Sequence, residues 1–408
     1  MGKTNKDSQI EKSLRRVISA PLLVLYGVGT MLGAGIYALI GEVVGVSGVY
    51  APAAFILASI IAALTAASFA ELSSRLPKSA GPAAYVLAGF KNQRLSFVTG
   101  LLIVASGIVS AGVMLRGFVG YAGEFLDFPD WAGFVVLSIT IGAIAAWGIA
   151  ESLVVVAIIT VLETGALLVV IALGLGAEPV TSVASHPMNV SVALGVVSGA
   201  VLAFYAFIGF EDMVNVAEEV KQPHRTIPKS IFAAFIVTTV IYVLVSWVAI
   251  RTTPISLLQQ SESPMTLIFS HLTNGSTKLM SVVAMIAVIN GALVQVIMAS
   301  RILYGMAKQN TISAWFGRVG GHTRTPINAT FFVIVLVFLA ALMLPLTILA
   351  QVTSFLLLSV FTFVNAALIR IKKENPASNA FKVPIIVPYL GAAAAALLAL
   401  ASLVEILG

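Results

Sequence analysis

Two glycine-bearing stretches contain the residues whose types and spacing stand out chemically. The first runs from Gly27 to Tyr37 inside a long apolar segment and carries glycines at positions 27, 29, 33 and 35. Each glycine in a helix interior costs about 1 kcal/mol relative to alanine, so a continuous helix is unfavourable there. Either the small residues let neighbouring helices pack closely, or a short unwound stretch turns its freed amide and carbonyl groups towards a polar ligand.

The second stretch repeats this arrangement farther along the chain. Between Ala203 and Asp212, Gly209 lies among aromatic residues and is followed closely by the acids Glu211 and Asp212. A broken helix presents unpaired amides and the positive end of its dipole to an anion, and it presents carbonyl groups to a cation. Two such breaks in one pocket suit a zwitterion, and an amino acid is the obvious small molecule of this kind.

Three other polar side chains lie deep in apolar segments. Glu163 is a functional candidate by default, because an ionisable group at membrane depth is costly. It is either a proton carrier or a carboxyl that is kept neutral or hydrogen-bonded for packing. Asn290 and Gln295 need partners when they are buried, and those partners are either a substrate or a neighbouring helix.

The elements that position these residues follow from the composition. Of 408 residues, 59% are hydrophobic and only 10% are charged, and the mean hydropathy is +1.04. Since a membrane-spanning helix needs about 20 apolar residues, the chain has material for at most about twelve spans. We therefore predict an all-α polytopic membrane protein embedded in a lipid bilayer, with helices broken at glycines.

Long runs with few charges predict eleven spans. The segment from Thr325 to Ile369 has no charge over 45 residues and is too long for one crossing, so we divide it at Pro345. The predicted spans are 20–44, 49–73, 95–122, 131–149, 152–175, 191–216, 229–250, 279–307, 327–344, 349–369 and 384–407.

The distribution of positive charge predicts the orientation. With the N-terminus in the cytoplasm, 20 of the 23 Lys and Arg residues fall on the inner side, as the positive-inside rule requires. The prediction is a multi-pass protein of the cell membrane with residues 1–19 as a cytoplasmic N-terminal segment and the C-terminus outside. Arg116, near an outer end, is explained by snorkelling to the interface. The net charge of +6 reflects this inner collar and does not indicate a nucleic-acid partner.

Several classes of chemistry are excluded or disfavoured. The chain has no cysteine and four histidines that are far apart in sequence, so it offers no thiolate, and no HExxH metal motif. No serine stands in a nucleophile elbow, and we expect no enzymatic activity, no metal and no cofactor. A channel or a membrane receptor is the alternative from a different class, because broken helices also line pores.

The two breaks predict an internal repeat. Span 6 is equivalent to span 1 displaced by five, which is typical of inverted-repeat transporters with a binding site at the bilayer midplane. In this interpretation one transmembrane domain, 1–408, contains a first repeat at 20–175, a second at 191–369 and an extra span at 384–407. Helices 1 and 6 are discontinuous.

Five motifs give the chain a family resemblance. They are Gly27–Tyr37, Ala70–Pro77 with Gly81–Tyr85, Phe207–Glu211, Ala217–Pro228 and Ser300–Ala307. With these motifs the chain resembles the amino acid, polyamine and organocation (APC) transporter superfamily, whose fold is a five-plus-five inverted repeat. The resemblance covers nearly the whole chain, and the loop motif after span 6 is its most specific part.

The resemblance implies a substrate site at the two breaks. The substrate carboxylate would meet amides around Gly33, Ala34 and Gly35. Its ammonium would meet carbonyl groups, and aromatic and amide side chains would complete the site. The residues implied for these roles are Met31, Tyr205 and Ile208 as carbonyl acceptors, Tyr205 and Phe207 as aromatics, and Asn290 and Gln295 as amides.

Two departures from the family pattern bear on mechanism. Proton-coupled relatives often have a lysine in span 5, where this chain has Glu163. Glu163, Glu211 and Asp212 are thus the candidates for proton coupling or gating, and H⁺ is favoured over Na⁺. Eleven spans instead of twelve leave the choice between monomer and homodimer open.

We expect import of a small neutral amino acid. The alternatives are an exchanger, a sodium-coupled symporter or a carrier of cationic amino acids.

Overall fold

A computed structural model gives the fold of most of the chain. It describes residues 16, 18–76, 81–147, 153–180, 189–273, 277–320, 325–375 and 380–407. Residues 1–15 and 17 of the expected N-terminal segment lie outside the described residues, as do residues 77–80 within one family motif. The side chain of Ala34 lies outside them too.

The described part of the chain is helical almost throughout. Its α-helices are α1 (Ala20–Tyr37), α2 (Ile40–Ser47), α3 (Ala51–Arg75), α4 (Gly81–Phe90), α5 (Gln93–Ala122), α6 (Asp130–Trp147), α7 (Leu153–Gly176), α8 (Val190–Ala206), α9 (Pro223–Thr252), α10 (Ile255–Gln260), α11 (Pro264–Thr273), α12 (Lys278–Lys308), α13 (Ile327–Met343), α14 (Leu346–Glu374) and α15 (Ile386–Leu407). Three 3-10 helices lie at Gly48–Tyr50, Phe210–Glu219 and Ala314–Gly317.

Ten helical segments in the described ranges are long and apolar enough to cross a membrane. They correspond to ten of the eleven predicted spans, with α2 and α3 forming one segment, Ile40–Arg75. The remaining predicted span, 327–344, matches α13, which is a shorter apolar helix of 17 residues. The all-helical, polytopic architecture is thus confirmed, whereas the count of eleven stays a prediction.

The outer surface of the helices differs from that of a water-soluble protein. Large apolar side chains on the outer faces of the helices are exposed, including Ile139 at 66% and Leu397 at 68%. Glu71, Glu163 and Asn365 are fully buried. Such extensive apolar exposure suits a surface surrounded by lipid.

Both expected helix breaks are present. Inside α1, Gly33 has φ −27° and ψ −136° and interrupts the helix. The second break follows α8, where residues 207–209 form a turn before the 3-10 helix Phe210–Glu219. The breaks support the prediction of two repeats, which itself stays a prediction.

Residues just before α1 join the first broken helix to the end of the second. Ile18 forms an isolated parallel β-bridge with Val220. The Ile18 amide donates to the carbonyl oxygen of Glu219 at 3.0 Å, and the Lys221 amide donates to that of Ile18 at 3.0 Å. The start of α1 is therefore joined by backbone hydrogen bonds to the end of the second broken helix.

A buried charge network lies at the same end of the molecule. The Glu71 carboxylate of α3 forms ion pairs with Arg75 at 2.7 Å and with Lys372 of α14 at 2.6 Å. It also accepts a hydrogen bond from the backbone amide of Val383 at 2.8 Å. The network joins α3, α14 and the segment that leads into α15.

Candidate functional site

Gly33 marks the open part of the first break. Its ψ differs by roughly 90° from the α-helical value, which turns the peptide group between Gly33 and Ala34 away from the helix axis. A Cβ atom built on Gly33 would meet only the methyl group of Met114, at 3.9 Å. The Cβ position of Gly33 therefore borders space that no other described residue fills closely.

The other three glycines of this stretch serve close packing. A Cβ on Gly27 would overlap the Met213 sulfur, one on Gly29 would overlap the Thr160 hydroxyl, and one on Gly35 would overlap Ala206. Both explanations of the glycine pattern therefore apply, to different residues. In particular, Gly35 is the point at which α1 touches the end of α8.

The second break packs directly on the first. Gly209 has φ +124°, a conformation that favours glycine, and a Cβ there would meet the Thr30 carbonyl oxygen at 2.5 Å. The Thr30 hydroxyl donates a hydrogen bond at 3.0 Å that is shared between the carbonyl oxygens of Gly27 and Gly209. The two unwound segments thus lie against each other, about 180 residues apart in sequence.

Tyr242 of α9 joins the two breaks through one hydroxyl group. That hydroxyl donates to the Met31 carbonyl oxygen of α1 and lies 2.8 Å from the Ala206 carbonyl oxygen at the end of α8. The ring of Phe207 packs against Tyr242 at 5.2 Å and stacks on Phe235 at 5.3 Å. Phe207 therefore lies in an aromatic cluster with α9 residues, on the same side as Tyr242.

One face of α5 runs alongside both breaks. Positions spaced three and four residues apart on a helix share a face, and here each contacts a predicted site element. The contacts are Gly107 with Gln295, Ser110 with Tyr205, Met114 with Gly33 and Gly291, Gly117 with Ala38, and Tyr121 with the Tyr37 carbonyl group. We call residues 107, 110, 114, 117 and 121 the α5 stripe.

One contact of the α5 stripe, between Ser110 and Tyr205, is a hydrogen bond between side chains. The Tyr205 hydroxyl lies 2.9 Å from the Ser110 hydroxyl and 3.3 Å from the Ser110 carbonyl oxygen. The aromatic residue implied as a gate is thus held at its hydroxyl by α5. Ile208, three residues farther on, is buried at the turn itself.

The two predicted amides of α12 are buried without a fixed partner. Asn290 is 8% exposed and Gln295 is 7% exposed, and neither side chain has a hydrogen-bond partner among the described residues. Gln295 lies against Gly107, while Asn290 precedes Gly291, whose Cβ position lies 2.8 Å from the Met114 methyl. Both amides are available to a polar ligand.

Glu163 is fully buried in α7, beside the first break. Both of its carboxyl oxygens lack a hydrogen-bond partner among the described residues, while its backbone carbonyl accepts from the Tyr37 hydroxyl at 3.0 Å. Through its backbone carbonyl, Glu163 is therefore joined to Tyr37 at the end of the first broken helix.

The acids after the second break have different partners. A carboxyl oxygen of Glu211 accepts a hydrogen bond from the Gly209 amide at 2.9 Å, which satisfies a donor freed by the break. Among the described residues, Asp212 accepts a single long bond, from Asn215 at 3.4 Å, and its other oxygen is buried with no partner there. Within the described ranges, no three His, Asp or Glu side chains are grouped so as to hold a metal ion.

Sequence reasoning found the glycines but missed three residues that hold the breaks together. They are Thr30, Tyr242 and Met114. A phenol within the apolar helix α9 and a threonine amid glycines were the available signals. Nothing in the sequence singles out Met114, because its role depends on facing Gly33 and Gly291 from a different helix.

Comparison with known proteins now decides the family. The profile of the amino acid permease family matches residues 19–406. The chain belongs to this family. The resemblance to the APC superfamily is thereby confirmed, and the protein is an amino acid transporter with multiple membrane-spanning helices. The relatives it matches are permeases and transporters, not enzymes.

The similar proteins differ in what their names say they transport. A branched-chain amino acid permease of Bacillus subtilis (strain 168) is 27% identical over 400 residues, covering 92% of this chain and 85% of that protein. A methylthioribose transporter of the same organism is 28% identical over 406 residues, covering 93% and 87%. A mitochondrial cationic amino acid transporter of Arabidopsis thaliana is 26% identical over 396 residues, covering 90% of this chain and 64% of that protein.

Proposed function

We propose that this permease imports a small neutral amino acid by alternating access, and that the amino acid lies between the two helix breaks. The observation that carries the proposal is the Tyr242 hydroxyl, which contacts the Met31 and Ala206 carbonyl groups at once. Backbone polar groups that are freed at membrane depth need a polar partner. A zwitterion supplies an anionic partner for the amides and a cationic partner for the carbonyl groups.

In this proposal each end of the substrate has its own backbone partners. The carboxylate lies at the amides of Gly33, Ala34 and Gly35, beside the rotated peptide at Gly33. The ammonium group lies at the carbonyl groups of Met31, Tyr205 and Ile208. Met31 can serve both Tyr242 and the ammonium, because a carbonyl oxygen has two lone pairs.

The α5 stripe and the amides of α12 support a neutral substrate. Ser110, Met114, Asn290 and Gln295 border the breaks, and none of them is acidic. A cationic side chain would lack a counter-charge at this face. The proposal therefore favours the substrate type named for the branched-chain relative over that named for the cationic transporters.

Proton coupling through Glu163 is the second part of the proposal. A carboxyl group with no fixed hydrogen-bond partner can bind and release a proton without breaking a bond that holds the fold. The Tyr37 hydroxyl donates to the Glu163 backbone carbonyl oxygen at 3.0 Å, which supports a position of this residue beside the first break. Glu211 and Asp212 are further gating or proton-path candidates. An exchanger and a sodium-coupled symporter are the alternative modes.

The proposed architecture is a five-plus-five inverted repeat with an eleventh span, in the cell membrane. The N-terminus is cytoplasmic and the C-terminus is outside, as the charge distribution predicts. Either a monomer or a homodimer is compatible with this arrangement, because each chain would contain a whole site.

Uptake into liposomes tests the coupling. The purified protein is reconstituted, screened with the twenty amino acids, and supplied with a proton gradient or a sodium gradient. We expect accumulation driven by the proton gradient, which Glu163→Gln abolishes while counterflow persists. Glu178→Gln is the matched control, because Glu178 is exposed. Full proton-driven accumulation by the Glu163 variant would refute its coupling role, and conduction without counterflow would indicate a channel.

The site assignment is tested best at Gly33. Replacement of Gly35 would clash with Ala206 and disturb packing as well as binding, whereas a methyl group at Gly33 enters open space. Gly33→Ala should weaken amino acid binding at least tenfold without changing thermal stability. Gly165→Ala, where the added methyl meets no described atom within 4 Å, should leave binding unchanged. Wild-type affinity in Gly33→Ala would refute the site.

A further inference from the structure

A second cavity, of about 190 Å³, lies at the end of the molecule where α5 ends and α6 begins. It is separate from the two breaks and is lined by an unusual set of charges. Arg116 of α5 faces it together with the carboxyl groups of Glu42, Asp130 and Glu262. Gln259 and Gln260 of α10 line it as well.

Arg116 is the residue that makes this cavity a candidate site. Its guanidinium lies over the Phe134 ring at 5.4 Å, and its Nε atom is buried without a hydrogen-bond partner among the described residues. No carboxylate of the described residues lies within ion-pair distance of it, although Asp130 and Glu262 interact with it electrostatically. Arg116 therefore lines the cavity, and its snorkelling to the interface stays a prediction.

We propose that this cavity is an outer amino acid site, at which a substrate is captured before it reaches the helix breaks. The inference rests on the proposed function for its ligand class. An α-carboxylate matches the planar guanidinium of Arg116, and an α-ammonium matches the surrounding carboxyl groups. Such charge-assisted hydrogen bonds are the strong ones. The single cation and the separate anions thus fit the two ends of an amino acid.

The α5 stripe places the cavity on a path to the breaks. Gly117 lines the cavity and faces Ala38, whose Cβ lies 3.0 Å from the position a Gly117 Cβ would occupy. Met114, which faces Gly33, is one turn farther along the same helix, or about 4.5 Å of rise. The contact layer of Ala38 and Gly117 therefore lies between the cavity and Met114, which contacts Gly33.

Other contacts close the molecule around this layer. The Ser263 hydroxyl donates to the Glu124 carboxylate at 2.6 Å, and the Tyr121 hydroxyl donates to the Tyr37 carbonyl oxygen. A Cβ on Gly41 would overlap the Leu258 carbonyl oxygen. In this conformation the cavity lies above a closed barrier, where a captured amino acid would wait.

A single introduced cysteine tests occupancy directly, because the chain has none of its own. Gln260→Cys places a thiol on the cavity wall, and Leu126→Cys places one on the nearby α5–α6 loop, where the side chain is 69% exposed. The rate of N-ethylmaleimide labelling is measured on purified protein with leucine, lysine or leucinamide. Leucinamide keeps the ammonium but lacks the carboxylate.

We expect leucine or lysine to slow labelling of Gln260→Cys at least threefold and to leave Leu126→Cys unaffected. Leucinamide should not slow the labelling of Gln260→Cys. Adding Arg116→Gln should remove the protection, and Arg116→Lys should retain part of it. Absence of protection, equal protection by leucinamide, or protection that persists in Arg116→Gln would each overturn the proposal.

The kinetics of amino acid uptake by the protein without introduced cysteines test the proposed site independently. Arg116→Gln should raise the KM for uptake about tenfold and leave kcat unchanged, because capture precedes the step that moves the substrate. An unchanged KM overturns the outer site and leaves the transporter assignment intact. Failure of the wild-type protein to take up any amino acid would instead remove the proposed function, and the outer site with it.

Discussion

At the scale of single residues, Tyr242 connects more of the candidate site than any residue the sequence singled out. Its hydroxyl contacts the carbonyl groups of Met31 and Ala206. The hydroxyl therefore couples the geometry of one break to that of the other. Its ring has a separate role, because it packs against Phe55 and Phe207.

Tyr242→Phe separates these two roles. The ring is retained, so the aromatic packing stays, but two buried carbonyl groups lose a donor. We expect the free energy of unfolding in detergent to fall by about 1–3 kcal/mol and the rate of counterflow to fall about tenfold.

Tyr389→Phe is the control for this change. Tyr389 is 44% exposed near the start of α15, so loss of its hydroxyl should alter neither measurement. Wild-type counterflow in Tyr242→Phe would show that the hydroxyl bridge is dispensable for transport.

The sequence could predict only part of the site at this scale. The breaks at Gly33 and Gly209 follow from local chemistry, because glycine spacing and flanking residues are visible in a short window. Tyr242 is 211 residues from Met31, and such a pairing has no local signature. The same limit applies to the distinction between Gly33, which faces open space, and Gly35, which packs on Ala206.

At the scale of elements, α5 acts as the surface against which both breaks are positioned. The α5 stripe contacts α1, α8 and α12 through residues one turn apart. Two serines on this helix differ only in what they contact. The Ser110 hydroxyl meets the Tyr205 hydroxyl, whereas the buried Ser106 hydroxyl donates to the Ile103 carbonyl of its own helix at 2.8 Å.

These serines give a matched pair of substitutions. Ser110→Ala should raise the substrate KM about three- to tenfold, because it frees Tyr205 from α5, and a net hydrogen bond contributes about 0.5–1.5 kcal/mol. Ser106→Ala should leave KM unchanged, since its bond is local. Equal effects of the two substitutions on uptake kinetics would contradict a positioning role for the α5 stripe.

The elements themselves were largely predictable. Long apolar runs located the spanning helices, because a bilayer demands continuous hydrophobic length. The short helices α4, α10 and α11 were missed, since they have 10, 6 and 10 residues and lack that length. Two of them bear on the proposals, as α10 lines the outer cavity and α11 contributes the Met265 amide that bonds Tyr121.

At the scale of the whole molecule, the Glu71 network fastens the last helix to the rest. Glu71 joins α3, α14 and Val383, and a second polar cluster lies deeper, where the Asn365 side chain bonds Ser68 and Thr65. Gly391 of α15 packs against Asn365. The last helix, α15, therefore contacts the rest of the bundle through buried polar groups.

Glu71→Gln should destabilise the folded protein strongly. Lys372 and Arg75 would lose their buried carboxylate, and a broken buried ion pair costs about 3–5 kcal/mol. Glu374→Gln is the control at the same end of the molecule. Glu374 forms an ion pair with Lys91 in which the side chains are 54% and 71% exposed, respectively. Such an exposed pair should contribute about 0–1 kcal/mol to the free energy of unfolding. Thermal unfolding in detergent measures the effect of each substitution. Similar decreases in the unfolding temperature of the two variants would contradict a large contribution of the Glu71 network to stability.

The bridge between Ile18 and Val220 holds the N-terminal end of α1 against the end of the second broken helix. From Ala20 to Leu32 the N-terminal half of α1 has 13 residues and is about 20 Å long. A rotation of about 10° around Gly33 would move the bridged end through roughly 3.5 Å. While the bridge is intact, the end of the second broken helix must travel the same distance. An intact bridge would therefore make the two broken helices move together at this end of the molecule.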